Sequence, residues 1–60
     1  MDDELRAYEA GRADGLAARR DAEQAGHPTL GRDYRIGFID GRMEIYRMQA
    51  SARKIVEDGE

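Results

Sequence analysis

The chain has no cysteine and no tryptophan, and only one proline, one histidine and one phenylalanine. Without cysteine it forms no disulfide, and one histidine alone does not assemble a zinc cluster. Those are two of the devices by which very short chains reinforce a small core. The third is a second subunit. Sixty residues bury only roughly 60% of the surface the unfolded chain exposes. Association is therefore the expectation, and the simplest form is a homodimer.

Long apolar runs are missing too. No stretch approaches the roughly 18–20 residues that span a bilayer. The opening Met1-Asp2-Asp3-Glu4 is acidic where a secretory signal is basic and then apolar. A cytoplasmic protein with no membrane contact is expected. The net charge of −3 speaks against general attraction to DNA, whose phosphates are bound chiefly by excess positive charge. No nucleophile–base pair, Gly-rich phosphate loop or metal-ligand spacing is visible, so neither an enzyme nor a cofactor is expected. His27, beside Pro28, is assigned to a turn.

What is present is helical. One segment, Gly26-His27-Pro28-Thr29-Leu30-Gly31, reads as a break. Gly26 suits the left-handed residue after a helix, Pro28 cannot continue one, and Thr29 suits an N-cap. Residues 2–25 are rich in Ala, Glu, Arg and Leu, with Asp2, Asp3 and Glu4 favourably placed for the helix dipole. The sequence predicts a single all-α domain over 1–60: a helix at 2–25, a hinge at 26–31 and a helix at 32–57. Its simplest architecture is a two-helix hairpin that dimerises into a four-helix arrangement.

The second helix carries two apolar series. Tyr34, Phe38, Gly41, Ile45, Met48, Ala52 and Ile55 alternate spacings of four and three, as do Ile36, Ile39, Met43, Tyr46 and Ala50. At about 100° per residue they point to nearly opposite sides. The first helix covers one side. The other, Ile36–Ile39–Met43–Tyr46–Ala50, is the candidate dimer or partner interface, because a helix with two apolar faces needs two things to bury against. Candidate occupants are a second copy or a larger protein or ribonucleoprotein target. Arg35, Arg42 and Arg53 share a flank and are candidate anion contacts, which a small anionic ligand held between subunits would use. A solvated charged face is the simpler account of them.

The first helix is small-sided: Ala7, Gly11, Gly15, Ala18, Ala22 and Ala25 form a strip. Glycine inside a helix costs about 1 kcal/mol relative to alanine, so two glycines imply a need for closeness. The pattern Tyr8-x-x-Gly11-x-x-Asp14-Gly15 recurs 26 positions later as Tyr34-x-x-Gly37-x-x-Asp40-Gly41. Tyr8, Gly11, Gly15, Tyr34, Gly37 and Gly41 are the expected helix-crossing residues. Each tyrosine is expected to lie over the opposing helix, its hydroxyl directed at Asp40 or Asp14.

These elements resemble the ribosome modulation factor family of small helical hairpins. Tyr8-Glu9-Ala10-Gly11 matches its first-helix Tyr-x-Ala-Gly element. Tyr34-Arg35-Ile36-Gly37-Phe38 matches its aromatic-x-x-Gly-aromatic element, beyond a proline-containing loop. The resemblance covers roughly residues 7–42. It implies a hairpin fold and association with ribosomes or ribosomal RNA.

Overall fold

The computed structural model describes residues 2–58, with side chains through Lys54. All regular secondary structure among the described residues is helical: α1 (Asp3–Ala17), α2 (Ala22–Ala25) and α3 (Gly31–Asp58). Asp3 and Glu4 sit in the first turn of α1, where carboxylates offset the positive end of the helix dipole.

The predicted helix at 2–25 is interrupted. Ala18 takes the left-handed conformation at φ 56°. The Ala18 N–H donates to the Gly15 carbonyl at 3.2 Å, and the Arg19 N–H to that of Asp14 at 2.8 Å. This pair of bonds closes a helix C-terminus in the way usually reserved for glycine. Three residues after Ala18, the Asp21 carboxylate restarts the helix by accepting the N–H groups of Glu23 at 3.0 Å and Gln24 at 3.2 Å. Donors on Gln24 and Glu23 hold the Asp21 carboxyl below its usual range, the Gln24 side chain first.

An L-residue in the left-handed region costs roughly 1–2 kcal/mol, a cost glycine escapes. Ala18→Gly is therefore expected to raise the melting temperature, by about 4–8 °C for each 1 kcal/mol relieved. Were 2–25 one continuous helix, the same change would lower it, so thermal denaturation separates the two by sign.

The hinge also departs from expectation. Gly26 sits at φ −91°, outside the left-handed region. The cap before α3 comes from His27 rather than Thr29. Its Nδ1 accepts from the backbone of Thr29 at 3.1 Å and of Leu30 at 3.0 Å. Gly31 opens α3 where a Cβ would lie 2.5 Å from the Ala25 carbonyl oxygen. That same oxygen accepts from Arg35 Nη1 at 2.5 Å.

The direction of packing corrects the simple hairpin. Gly11 lies against Tyr34 and Phe38, and four residues later Gly15 lies against Phe38 and Gly41. From the other side, Gly37 meets Tyr8 and Arg12, while Gly41 meets Arg12 and Leu16. Contacts advance together along both helices, so α1 and α3 run in the same direction. Residues 18–30, with α2 among them, carry the chain back to the start of α1. There Gln24, His27, Leu30 and Tyr34 line a shallow groove with Asp3, Arg6, Ala7 and Ala10.

The enclosed core is small: Ala7, Ala25 and Tyr34, flanked by Ala10, Leu30 and Phe38. At about 1.5 Å per residue, α3 is about 42 Å long and α1 about half that. From Tyr46 to Lys54 α3 is exposed throughout, Met48 and Ala52 of its inner series included. Ile55 in that series lies outside the described side chains. The radius of gyration is 14.4 Å, against about 10 Å for a compact chain of this length.

Candidate contact face and the helix crossing

The crossing is built on four glycines. A Cβ on Gly11 would fall on the Tyr34 carbonyl oxygen, and one on Gly37 on that of Tyr8. Gly15 faces the Phe38 carbonyl in the same way, and Gly41 that of Arg12. Backbone therefore touches backbone, and no side chain fits between. All four glycines are buried. Such closeness brings each tyrosine within reach of the other helix. The Tyr8 hydroxyl donates to Asp40 Oδ2 at 2.6 Å, and the Tyr34 hydroxyl to Asp14 Oδ2 at 2.5 Å.

The two tyrosines are not equivalent. Tyr34 is 1% exposed, the one large side chain fully enclosed among the described residues. Its hydroxyl also accepts from the Asp21 backbone N–H at 2.8 Å. That bond anchors the return segment to the crossing and helps explain why the chain leaves the helix before Asp21. Burial, then the Asp14 hydrogen bond, raises the Tyr34 phenol above its ordinary pKa of 10.0. Tyr8 is also raised, chiefly by its hydrogen bond to Asp40. Arg12 pairs with Glu44 one turn along, a solvent-facing ion pair that adds little.

A measurable consequence follows for Tyr34. Tyr34→Phe leaves the Asp21 N–H without its acceptor and should cost about 1–3 kcal/mol at neutral pH. Because folding raises this phenol's pKa, its contribution is complete below about pH 10 and fades as pH climbs through the raised value. The gap in melting temperature between the parent and Tyr34→Phe should therefore be widest at neutral pH and narrow in strong alkali. A pH-independent gap would place the hydroxyl outside the network.

The opposite side of α3 is bare. Ile36 is 43% exposed, Ile39 57%, Met43 45% and Tyr46 59%, and Ala50 continues the row in the open. From Ile36 to Ala50 the row runs about 21 Å along the helix. Arg42 borders it, with its guanidinium carbon 5.2 Å from the centre of the Tyr46 ring. That is cation–π range, and it holds the tyrosine against the helix.

The three candidate anion contacts are not gathered. Arg35 donates to the Ala25 carbonyl, Arg42 lies over Tyr46, and Arg53 is exposed near the far end of α3. Arg35 and Arg53 are about 27 Å apart along the axis. Among the described residues no cluster of three His or acidic side chains is placed to hold a metal ion. No helix among them is long and apolar enough to cross a membrane. No family model, curated protein or solved structure matches this chain.

Sequence reasoning missed the Asp21 cap, the Tyr34–Asp21 bond and the Arg12–Glu44 pair. The cap was legible, since Asp21-Ala22-Glu23-Gln24 places an aspartate before good helix formers. The Tyr34–Asp21 bond was not, because it depends on how the return segment folds.

Proposed function

We propose that this chain is a non-catalytic regulatory or inhibitory binding protein, acting through protein–protein contacts of the outer face of α3. Two copies pair across that face, and the pair engages a larger macromolecule. The supporting observation is the open row Ile36–Ile39–Met43–Tyr46–Ala50 on a helix whose other side is already packed against α1. Contiguous apolar surface on so small a protein marks a place where another molecule sits. The enclosed core points the same way, since among the described residues only one large side chain is fully buried. A rigid α1–α3 crossing then presents the face without needing to reorganise on binding.

Mass measurement across a dilution series tests this. A dimer at micromolar concentration that dissociates on dilution is the expected result. A monomer at every concentration would overturn the pairing. For the larger target, a ribosome-associated role is favoured by the Tyr8–Gly11 and Tyr34–Phe38 elements. Sedimentation of the chain with purified ribosomal subunits, lost as salt rises, would identify a ribonucleoprotein as that target.

A further inference from the structure

The outer row of α3 is bordered on one side by Asp33, Asp40, Arg47 and Lys54, spaced seven residues apart. This flank is acidic over its first half and basic over its second. On the other border stand Arg35, Arg42 and Gln49. When two like helices pair in the same direction, the two different flanks meet, and when they run oppositely, each flank meets its own copy. Same-direction pairing sets Arg35 beside the partner's Asp40 but Arg42 beside the partner's Arg47, so attraction and repulsion cancel. Opposed pairing lays the first flank against itself reversed, so acid meets base at both ends.

We infer that two copies pair through α3 in opposite directions, with Ile39 against the partner's Ala50 and Met43 against the partner's Tyr46. This deepens the proposed pairing and rests on it. In this register Asp33 faces the partner's Lys54 and Asp40 faces the partner's Arg47, each twice by symmetry. Sliding by one heptad in either direction sets Asp40 or Arg47 against its own copy, so the charges select one register. Asp40 keeps a second carboxylate oxygen for this contact, because Tyr8 takes only Oδ2.

The arrangement suits the shape of the chain. The stretch of α3 from Tyr46 to Lys54, exposed throughout, lies along the partner half that is backed by the partner's α1. Each slender end gains a broad support. Same-direction pairing would instead leave two slender ends supporting only each other. α1 packs on the glycine side of α3, and of its side chains Tyr8 and Arg12 reach round to border the Asp40–Arg47 flank.

The lack of cysteine makes a direct test available. Ile39→Cys and Ala50→Cys are prepared separately, then oxidised alone and as an equimolar mixture. A disulfide needs Cα atoms about 4.4–6.8 Å apart, whereas positions 39 and 50 are about 16 Å apart along one helix. The expected product is a cross-linked dimer of one copy of each variant, formed in the mixture and scarce in either alone. Cross-linking of each variant alone would show same-direction pairing and overturn the inference. So would a dimeric parent whose variants never cross-link, although that result leaves the proposed pairing standing. A parent that is monomeric throughout removes the pairing itself.

The charges give an independent check. Lys54→Glu should weaken association about fivefold to tenfold, with Asp33→Lys on the same chain restoring it. Association unmoved by Lys54→Glu would overturn the register.

Discussion

Gly37→Leu is expected to abolish the cooperative thermal transition, and Gly11→Leu to do the same. At each position even the first carbon of a side chain collides with main-chain atoms of the other helix: Tyr8 and Arg12 for Gly37, Tyr34 and Phe38 for Gly11. A flexible side chain can swing aside, but a hydrogen-bonded helix backbone cannot. Relief comes only from separating α1 and α3, which opens the Tyr8–Asp40 and Tyr34–Asp14 bonds and exposes Tyr34. Overpacking a core typically costs about 1–3 kcal/mol, and a core of this size holds roughly 3–5 kcal/mol in all. A clash against main chain that cannot swing aside lies at or above the top of the overpacking range, so the loss removes most of the stability. Gly26→Ala is the control. Its nearest neighbour to a Cβ is the Ala22 carbonyl oxygen at 3.3 Å, and its φ of −91° suits any residue. Circular dichroism should show a melting transition kept in Gly26→Ala and lost in Gly37→Leu. A normal transition in Gly37→Leu would mean the helices do not touch there.

The same glycines show what was readable beforehand and what was not. Their 26-residue offset marked the crossing, and the tyrosines and aspartates of the repeat are the groups the structure joins there. The direction of packing was not readable from that offset, because the four glycines fit opposed helices (Gly11 with Gly41, Gly15 with Gly37) as well as helices that run together (Gly11 with Gly37, Gly15 with Gly41). In helices that run oppositely, contacting positions keep a constant sum. In helices that run together they keep a constant difference, and the structure takes this second arrangement, with Gly15 against Gly41. The expected hairpin came from giving the turn at 26–31 the whole reversal, when residues 18–30 together carry the chain back. The end of α1 was hidden for a different reason. Alanine is the best helix former, so nothing local distinguishes Ala18 from Ala17 or Ala22. Tertiary bonds decide it, through Tyr34 holding the Asp21 backbone. The outer row was visible in the spacing of Ile36, Ile39 and Met43, because a bare apolar stripe is a property of sequence and helix period alone. Nothing as local marked the exposure from Tyr46 to Lys54, which follows from where α1 stops.

Ile39→Glu/Met43→Glu is expected to leave the fold intact and raise the dimer dissociation constant more than a hundredfold. Both side chains are about half exposed, and neither is among the groups that meet the crossing glycines or form the tyrosine–aspartate bonds, so the crossing keeps its contacts. Glutamate is also a good helix former, and local helicity should hold. In a symmetric pair each substitution counts twice, placing four carboxylates where four apolar groups would be. Each lost apolar contact costs about 25 cal/mol per Å² of buried surface, and an unpaired charge in the seam costs more. A hundredfold change corresponds to about 2.7 kcal/mol, well within that sum. Melting temperature supplies the second readout. A dimer's transition rises with protein concentration by mass action, whereas a monomer's does not. The parent should show that dependence, and the variant should melt at one temperature throughout, matching the parent at high dilution. A variant that stays dimeric with unchanged affinity would move the contact off this face. A variant that unfolds at all concentrations would show the row to be part of the chain's own core.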